Sequence, residues 1–128
     1  MKKFKIAFVD DEEMIHTLIK IKLSSVSFFE KIELYNFSSG LDCVTHLTQV
    51  QQKEFDIIFT DITMPEMDGI ELAKIINEKY PTTELYFTSA LNPKVLEEKE
   101  DLNSLSKGYL EKPINLHSLT SIIEQKIL

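Results

Sequence analysis

The chain alternates between short apolar runs and longer segments whose apolar residues recur at helical spacing, and this alternation restricts its fold more than any other feature. Short runs of aliphatic, β-branched and aromatic residues are typical of buried strands. We predict five such strands, over residues 4–9, 32–37, 57–60, 84–88 and 109–110. A helix-like segment follows each of them, which favours parallel over antiparallel pairing.

The helix-like segments have recognisable starts and stops. The second begins at the turn of residues 38–40, the third ends before Pro81, and the less regular fourth covers residues 93–105. Asn115 can cap the last one. The apolar positions are Ile15, Leu18, Ile19 and Leu23 in the first helix, Leu41, Val44 and Leu47 in the second, Ile70, Leu72, Ala73 and Ile76 in the third, and Leu116, Leu119, Ile122, Ile123 and Ile127 in the last.

Five strands alternating with five helices predict an α/β fold in which a doubly wound parallel sheet is covered by helices on both faces. Right-handed crossovers leave few topologies, and we expect the strand order 2-1-3-4-5. The chain has 128 residues and shows no linker, repeat or low-complexity segment, so we expect a single domain over residues 1–128.

Composition argues against several classes of function. The formal net charge of −7 speaks against direct binding of a nucleic-acid backbone by this domain. No stretch approaches the roughly 20 apolar residues of a membrane span, and no secretory signal is apparent. The single cysteine, Cys43, cannot form an internal disulfide and is expected to pack in the core, which suits a cytoplasmic location.

Carboxylates, a hydroxyl and an ammonium group stand where the predicted strands end. Asp10 and Asp11 follow the first strand, and Asp61 follows the third. Thr88 ends the fourth strand, and Lys112 follows the fifth. In open parallel sheets, ligands bind beyond the carboxyl ends of the strands. Because the order 2-1-3-4-5 makes the first, third and fourth strands neighbours, we expect these side chains to meet at one edge.

Such a grouping needs a compensating cation, because clustered carboxylates repel each other and otherwise take up protons. Mg²⁺ binds through a few carboxylates and keeps several waters, so we predict Mg²⁺ here, with Mn²⁺ as a substitute. While Asp10 and Asp11 help to hold the metal, Asp61 can act as nucleophile toward a phosphoryl group. Lys112 would neutralise charge on the phosphoryl oxygens, and Thr88 would donate a hydrogen bond to one of them.

Four short segments are together specific enough to suggest a family. They are Phe-Val-Asp-Asp-Glu at 8–12, Thr-Asp-Ile-Thr-Met-Pro-Glu-Met-Asp-Gly at 60–69, Phe-Thr-Ser-Ala at 87–90 and Gly-Tyr-Leu-Glu-Lys-Pro at 108–113. With these segments the chain resembles the receiver domains of two-component response regulators, in the family's order and over nearly the whole chain. The resemblance implies a flavodoxin-like fold and a role in phosphorelay signal transduction.

The resemblance implies a role for each residue at the phosphorylation site. Asp61 would be the phosphoacceptor, which receives its phosphoryl group from a phosphohistidine. Asp10 and Asp11 would form the acidic pair at the magnesium ion, with Asp61 and the backbone carbonyl of Thr63 as further ligands. Such a domain would not be an enzyme for external substrates, since it catalyses only its own phosphorylation and dephosphorylation.

The resemblance also implies a conformational switch and its partners. Thr88 would be the switch hydroxyl, Lys112 the phosphate-pairing ammonium and Tyr109 the aromatic residue that turns inward, and the Lys112–Pro113 bond would be cis. A sensor histidine kinase or a histidine phosphotransfer protein would be the donor. The face made by helix four, strand five and helix five would change its affinity for an output domain or protein partner, and two copies could pair through it.

Near the acceptor, one residue departs from the family's usual pattern and two positions are variable in the family. Ser89 stands where the family usually has alanine or another small residue, and its hydroxyl could add a hydrogen bond. Thr63 and Ala90 occupy the positions that tune the lifetime of the phosphoryl group in the family. Because Ala90 offers no polar group to hold an attacking water, we expect slow self-dephosphorylation.

Simpler explanations exist for each residue taken alone. The acids at 10–13 could simply stabilise the N-terminus of the first helix through its dipole, and Lys112 could be a solvated lysine. The joint occurrence of these residues after successive strands argues against such separate explanations. His16, His46 and His117 show no ligand spacing, so we assign them no metal role.

Three other function classes compete with this interpretation. A nucleotide-binding enzyme would need a glycine-rich turn after the first strand, where this chain is acidic. A phosphatase of the haloacid-dehalogenase type would have its aspartyl nucleophile directly after the first strand, with a second aspartate two residues later, where this chain has Glu12. A degenerate receiver would be a phosphorylation-independent interaction module, but Asp61, Thr88 and Lys112 are all intact. The sequence leaves open which output is controlled, and whether the domain stands alone or belongs to a longer protein.

Overall fold

The computed structural model describes residues 3–50 and 55–127, which form one parallel sheet with helices on both faces. All five predicted strands are present, and the last three are slightly longer than predicted. They are β1 (Phe4–Val9), β2 (Ile32–Phe37), β3 (Ile57–Asp61), β4 (Glu84–Ser89) and β5 (Gly108–Glu111).

The strand order is β2-β1-β3-β4-β5, and every pair of neighbouring strands is parallel. This order confirms the predicted doubly wound, flavodoxin-like α/β fold. The register pairs Val9 with Thr60 and Asp61 with Thr88. The carboxyl ends of β1, β3 and β4 therefore lie side by side, at what we call the carboxyl edge of the sheet.

The helices and their caps follow local sequence signals. Within the described residues the α-helices are α1 (Glu13–Leu23), α2 (Gly40–Val50), α3 (Gly69–Lys79), α4 (Pro93–Glu97), α5 (Glu100–Leu105) and α6 (Leu116–Ile127). A turn of 3₁₀ helix, Phe29–Lys31, precedes β2. Asp68 caps α3 by accepting a hydrogen bond from the Glu71 amide. Asn115 caps α6 through the amide of Ser118, as predicted.

The prediction of a single helix over residues 93–105 is wrong, because the chain is interrupted between α4 and α5. Lys99 is extended there, with φ −96° and ψ 99°. Leu96 and Leu102 are both buried in the same core, yet a continuous helix, at about 100° per residue, would turn their side chains about 120° away from each other. The interruption lets both leucines face the sheet, so six helices replace the expected five.

The sheet separates two apolar cores. α1 and α6 cover one face, where Phe8 and Phe59 stack with ring centroids 5.0 Å apart. α2, α3, α4 and α5 cover the other face, which contains Val9 and Phe87. Cys43 is fully buried in this second core, and burial raises the pKa of its thiol to about 12. The cysteine therefore packs in the core, as predicted. Across the described parts of the chain, we find no helix with the length and apolar character needed to cross a membrane.

Candidate functional site

Asp10, directly after β1, contributes the most deeply buried carboxylate at the carboxyl edge. Its backbone N–H donates to the carbonyl of Phe37 at 3.0 Å, which extends the pairing of β1 with β2 by one residue. Asp10 is only 3% exposed, and its Oδ1 atom accepts a 2.9 Å hydrogen bond from the amide of Glu12. The backbone and one carboxylate oxygen are thus held by the surrounding chain.

Asp61 is the last residue of β3, and a close approach by Gly69 shapes the loop that follows it. A Cβ atom at position 69 would lie 2.1 Å from the backbone oxygen of Asp61. The Gly69 amide donates to the carbonyl of Ile62 at 2.8 Å, which closes this loop. The backbone amide of Thr63 is close enough to the Asp61 carboxylate to oppose the rise of its pKa. The backbone of Thr63, whose carbonyl is a predicted metal ligand, therefore lies beside that carboxylate.

Lys112 connects two of the aspartates. Its Nζ atom lies 2.6 Å from Oδ2 of Asp10 and 3.1 Å from Oδ2 of Asp61. Its amide donates to the carbonyl of Ser89 at 2.7 Å, and the Lys112–Pro113 bond is cis, as expected. Because all three charged side chains are mostly buried, their charges interact more strongly than they would in bulk water.

Asp11 completes an acidic cluster with Asp10 and Asp61. One carboxylate oxygen from each of the three lies within 4.8 Å of the other two. Among the described residues, the buried Oδ2 atom of Asp10 has no polar partner beyond its ion pair with Lys112. Hard oxygen donors with negative charge left to compensate are the ligands that Mg²⁺ prefers. The donor set therefore fits the predicted metal.

Burial and charge shift the pKa of both Asp61 and Lys112. Burial raises the pKa of Asp61; the hydrogen bond and charge of Lys112 oppose this rise, and the charge of Asp10 adds to it. Burial would lower the pKa of Lys112, but the hydrogen bonds and charges of the two aspartates more than offset this, so the pKa is raised. Lys112 is thus a cation at neutral pH, while the surroundings of Asp61 disfavour its charge until further positive charge is added.

Thr88 and Tyr109 lie on strands next to this cluster. Thr88 is buried, pairs with Asp61 across β3 and β4, and accepts a 3.3 Å hydrogen bond at its carbonyl from the Ile62 amide. Tyr109 stacks on Phe87, with ring centroids 6.1 Å apart. Phe87 directly precedes Thr88 on β4. Tyr109, the predicted aromatic switch residue, therefore packs on the neighbour of Thr88, the predicted switch hydroxyl.

The hydroxyl of Tyr109 is held by α5. It donates a 2.7 Å hydrogen bond to Oδ1 of Asn103. Burial raises the pKa of Tyr109, so its hydroxyl remains a donor at neutral pH. Asn103 was not expected from the sequence, because no local pattern marks a contact with a residue on another element.

His16 is a second residue whose contact with the site was not expected from the sequence. It lies on the inner face of α1 and is 8% exposed. Its Nε2 atom lies 2.8 Å from the backbone oxygen of Asp10, and its Nδ1 atom lies 3.1 Å from Oδ1 of Asn36. One signal was present, because His16, Ile19 and Leu23 follow the i, i+3, i+7 spacing of a buried helix face. That spacing does not reveal which backbone group the ring meets.

The variable positions also border the carboxyl edge. Ser89 is buried, and its Oγ atom accepts a 3.0 Å hydrogen bond from the Leu91 amide, which leaves the hydroxyl proton available to a further acceptor. Thr63 and Ala90 are exposed. Ala90 therefore presents only a methyl group to solvent at its position after β4.

Comparison with known proteins adds independent evidence. Residues 6–124 match the family described as response regulator receiver domain. The response regulator receiver protein CpdR of Brucella abortus is 31% identical over 128 residues, which are 100% of this chain and 98% of CpdR. A protein-glutamate methylesterase/protein-glutamine glutaminase of Trichodesmium erythraeum is 30% identical over 125 residues, which are 97% of this chain but only 34% of that protein. Sensor proteins and a transcriptional regulator are also among the relatives.

Solved structures agree on the fold. The signal receiver domain of an HD domain-containing protein from Pseudomonas fluorescens Pf-5 has a TM-score of 0.80 to this structure, over 98% of this chain and 88% of that one. The two sequences are 22% identical, so this likeness concerns the fold alone. The sheet order, the four sequence segments and the match over residues 6–124 all agree. The chain therefore belongs to the response regulator receiver domain family of two-component signal transduction.

Proposed function

We propose that this domain accepts a phosphoryl group from a phosphohistidine onto Asp61 in a Mg²⁺-dependent reaction in the cytoplasm. The observation that carries the proposal is the convergence of Asp10, Asp11 and Asp61, with Lys112 bridging two of them. The donor would be a sensor histidine kinase or a histidine phosphotransfer protein. The domain would act on its own aspartate and not on an external substrate.

The transfer is a nucleophilic displacement at phosphorus. A carboxylate oxygen of Asp61 forms the new P–O bond while the P–N bond of the donor phosphohistidine breaks. The leaving imidazole nitrogen keeps the electron pair of that bond and is then protonated by solvent. Lys112, already 3.1 Å from Oδ2 of Asp61, neutralises charge on the phosphoryl oxygens.

Asp10, Asp11 and Asp61 would hold Mg²⁺ together with the backbone carbonyl of Thr63, and Mn²⁺ would substitute for it. The cation, when bound, supplies charge neutralisation to the phosphoryl oxygens. The buried Oδ2 atom of Asp10 can share its negative charge between Lys112 and the cation. Because the charge of Asp10 also raises the pKa of Asp61, compensation of that charge favours the ionised, nucleophilic form of Asp61.

The phosphoryl group then acts as a switch. Its added negative charge draws the Lys112 ammonium toward it, and the buried Thr88 hydroxyl donates to one of its oxygens. Tyr109 turns inward behind Thr88. The predicted fourth helix is α4 and α5 in the structure, and the predicted fifth helix is α6. The face that these helices form with β5 changes its affinity for an output domain or protein partner, and two copies of the domain can pair through it.

The donor would dock on α1, directly after the acidic pair. Met14, Leu18 and Ile21 form an exposed apolar stripe on this helix, and Met14 and Ile21 are 72% and 62% exposed. Spacings of four and three residues place them on one face of the helix. A donor protein that covers this stripe would bring its phosphohistidine close to Asp61.

The proposal is tested by incubation with acetyl phosphate, with and without Mg²⁺, followed by intact-protein mass spectrometry. The wild type should gain one phosphoryl group only when Mg²⁺ is present. Asp61→Asn should remain unmodified. Asp42→Asn, which changes an exposed acid on α2, should behave like the wild type.

An unmodified wild type, or equal modification of Asp61→Asn, would overturn the proposal. Repeated hydrolysis of an external phosphomonoester would identify a phosphatase instead. Partner binding that is the same for the unmodified and the phosphorylated domain would indicate a phosphorylation-independent interaction module.

A further inference from the structure

We propose that His16 is a positioning residue for the acidic pair, because it binds the one backbone carbonyl that lies between Asp10 and Asp11. The inference rests on the proposed function, since it concerns how the carboxylates are presented to a cation. Among residues 3–50 and 55–127, the hydrogen bonds of His16 go to Asp10 and Asn36 and none goes to Asp61, so its effect passes through the Asp10–Asp11 peptide.

The chemistry of the contact defines the state of the imidazole ring. A carbonyl oxygen can only accept, so the Nε2 atom, 2.8 Å from the Asp10 oxygen, must carry a proton and donate it. The Nδ1 atom lies 3.1 Å from the amide group of Asn36 on β2. A side-chain amide can serve as donor or acceptor, so Asn36 can pair with Nδ1 whether or not that nitrogen is protonated.

This single contact acts on two carboxylates at once. The carbonyl of Asp10 belongs to the peptide plane that joins Asp10 to Asp11, so a donor that holds it sets the orientation of both residues. The amide of Asp10 is held at its other side by the carbonyl of Phe37. With His16 in place, the Asp10 backbone is clamped between β2 and α1, and its Oδ1 atom accepts from the Glu12 amide. Loss of the His16 donor would leave a buried carbonyl unpaired and free this peptide to rotate.

The substitutions His16→Leu and His16→Gln test the proposal. Leucine fills similar space without a donor, whereas the terminal amide of glutamine can still donate to the Asp10 oxygen. Mg²⁺ affinity is measured by calorimetric titration without any phosphodonor. We expect His16→Leu to weaken Mg²⁺ binding about tenfold, at the lower end of losses caused by removing a residue that supports metal ligands. His16→Gln should recover most of the affinity.

A second measurement does not involve the metal. Hydrogen exchange of the Glu12 amide in metal-free protein reports whether the Asp10 carboxylate is still held in place. This amide should exchange faster in His16→Leu than in the wild type and return toward the wild-type rate in His16→Gln. If His16→Leu does not fold, Asn36→Ala, which changes an exposed residue, should show the same two effects at smaller size.

Ile19→Val is the control for general destabilisation of α1, because Ile19 is buried on the same helix face and belongs to the apolar core. It should leave both Mg²⁺ affinity and Glu12 exchange unchanged. If Ile19→Val weakens Mg²⁺ binding as much as His16→Leu, or if neither His16 variant changes it, the proposal is wrong. A wild type that is not phosphorylated by acetyl phosphate would instead refute the proposed function, so the two failures are distinguishable.

Discussion

Asn103 Oδ1 accepts a 2.7 Å hydrogen bond from the hydroxyl of Tyr109, and this contact holds the predicted aromatic switch residue against α5. The Nδ2 atom of Asn103 donates to the carbonyl of Glu97, at the end of α4, at 2.6 Å. One side chain therefore ties β5 to both short helices that follow β4. The interruption between α4 and α5 makes this possible, since it turns Asn103 and the end of α4 toward each other.

Substitution of Asn103 should ease the inward movement of Tyr109. Asn103→Ala removes the acceptor, and a hydrogen bond of about 1 kcal/mol corresponds to about a fivefold change in an equilibrium. We expect Mg²⁺-dependent binding of beryllofluoride, a phosphoryl mimic, to tighten by up to about that factor. Asn103→Asp keeps the acceptor for Tyr109 and loses only the donor to Glu97, so it should bind beryllofluoride nearly as the wild type does. Weaker binding by Asn103→Ala would contradict this role for the contact.

The stability of the metal-free protein should depend on the charge of Asp61. Because burial raises the pKa of Asp61 above its ordinary value of 3.8, the folded state holds this proton more tightly than the unfolded state. Stability is therefore lost as pH rises from about 3.8 through the folded-state pKa. Asp61→Asn should be more stable than the wild type at pH 7 without metal, and the difference should shrink toward low pH.

Urea unfolding at a series of pH values measures this difference. Addition of Mg²⁺ should stabilise the wild type more than Asp61→Asn, because the substitution removes one of the carboxylates of the cluster. The exposed Asp42→Asn variant serves as the control and should follow the wild type throughout. If metal-free Asp61→Asn is less stable than the wild type at pH 7, the negative charge of Asp61 in the wild type is already fully compensated by its surroundings, and this prediction is wrong.

Gly69 should not tolerate a side chain. A Cβ atom there would lie 2.1 Å from the backbone oxygen of Asp61, so Gly69→Ala must displace the end of β3 or the start of α3. We expect a loss of about 1–3 kcal/mol in the free energy of unfolding, together with slower phosphorylation by acetyl phosphate. Gly108→Ala is the matched control, because its Cβ would meet only the Tyr86 ring at 3.5 Å. Equal stability of the two variants would refute this explanation.

The exposed stripe on α1 should matter for a protein donor and not for a small one. Met14→Gln combined with Ile21→Gln should slow phosphotransfer from a phosphorylated donor protein by about fivefold or more, as expected for central interface residues. Phosphorylation by acetyl phosphate should be unchanged. Leu41→Gln replaces another exposed apolar residue, on α2, and should affect neither reaction. Equal slowing with both donors would mean that the substitutions disturb the site itself.

Local patterns were sufficient to predict the five strands and the carboxylates that meet at the carboxyl edge. The apolar spacing predicted all five strands, and the alternation of strands with helices predicted the parallel sheet. Because parallel strands present their carboxyl ends at one edge, residues as distant along the chain as Asp10, Asp61 and Lys112 could be expected together. The four sequence segments at 8–12, 60–69, 87–90 and 108–113 indicated the family.

Tertiary packing decided the rest. The single helix predicted over residues 93–105 is two helices, because Leu96 and Leu102 both have to reach the same core and a continuous helix would separate them. Periodicity describes one element at a time, so it could not show this competition between helix geometry and burial.

The same limit applies to the contacts around the site. The sequence by itself determined which carboxylates lie at the carboxyl edge, since that follows from where each strand ends. Only the tertiary structure decided what holds them, because the partners of Asp10, such as the His16 ring, the Phe37 carbonyl and the Lys112 ammonium, come from three other elements or loops. Their distances depend on how helices pack on the sheet, and no local pattern of residues encodes that packing.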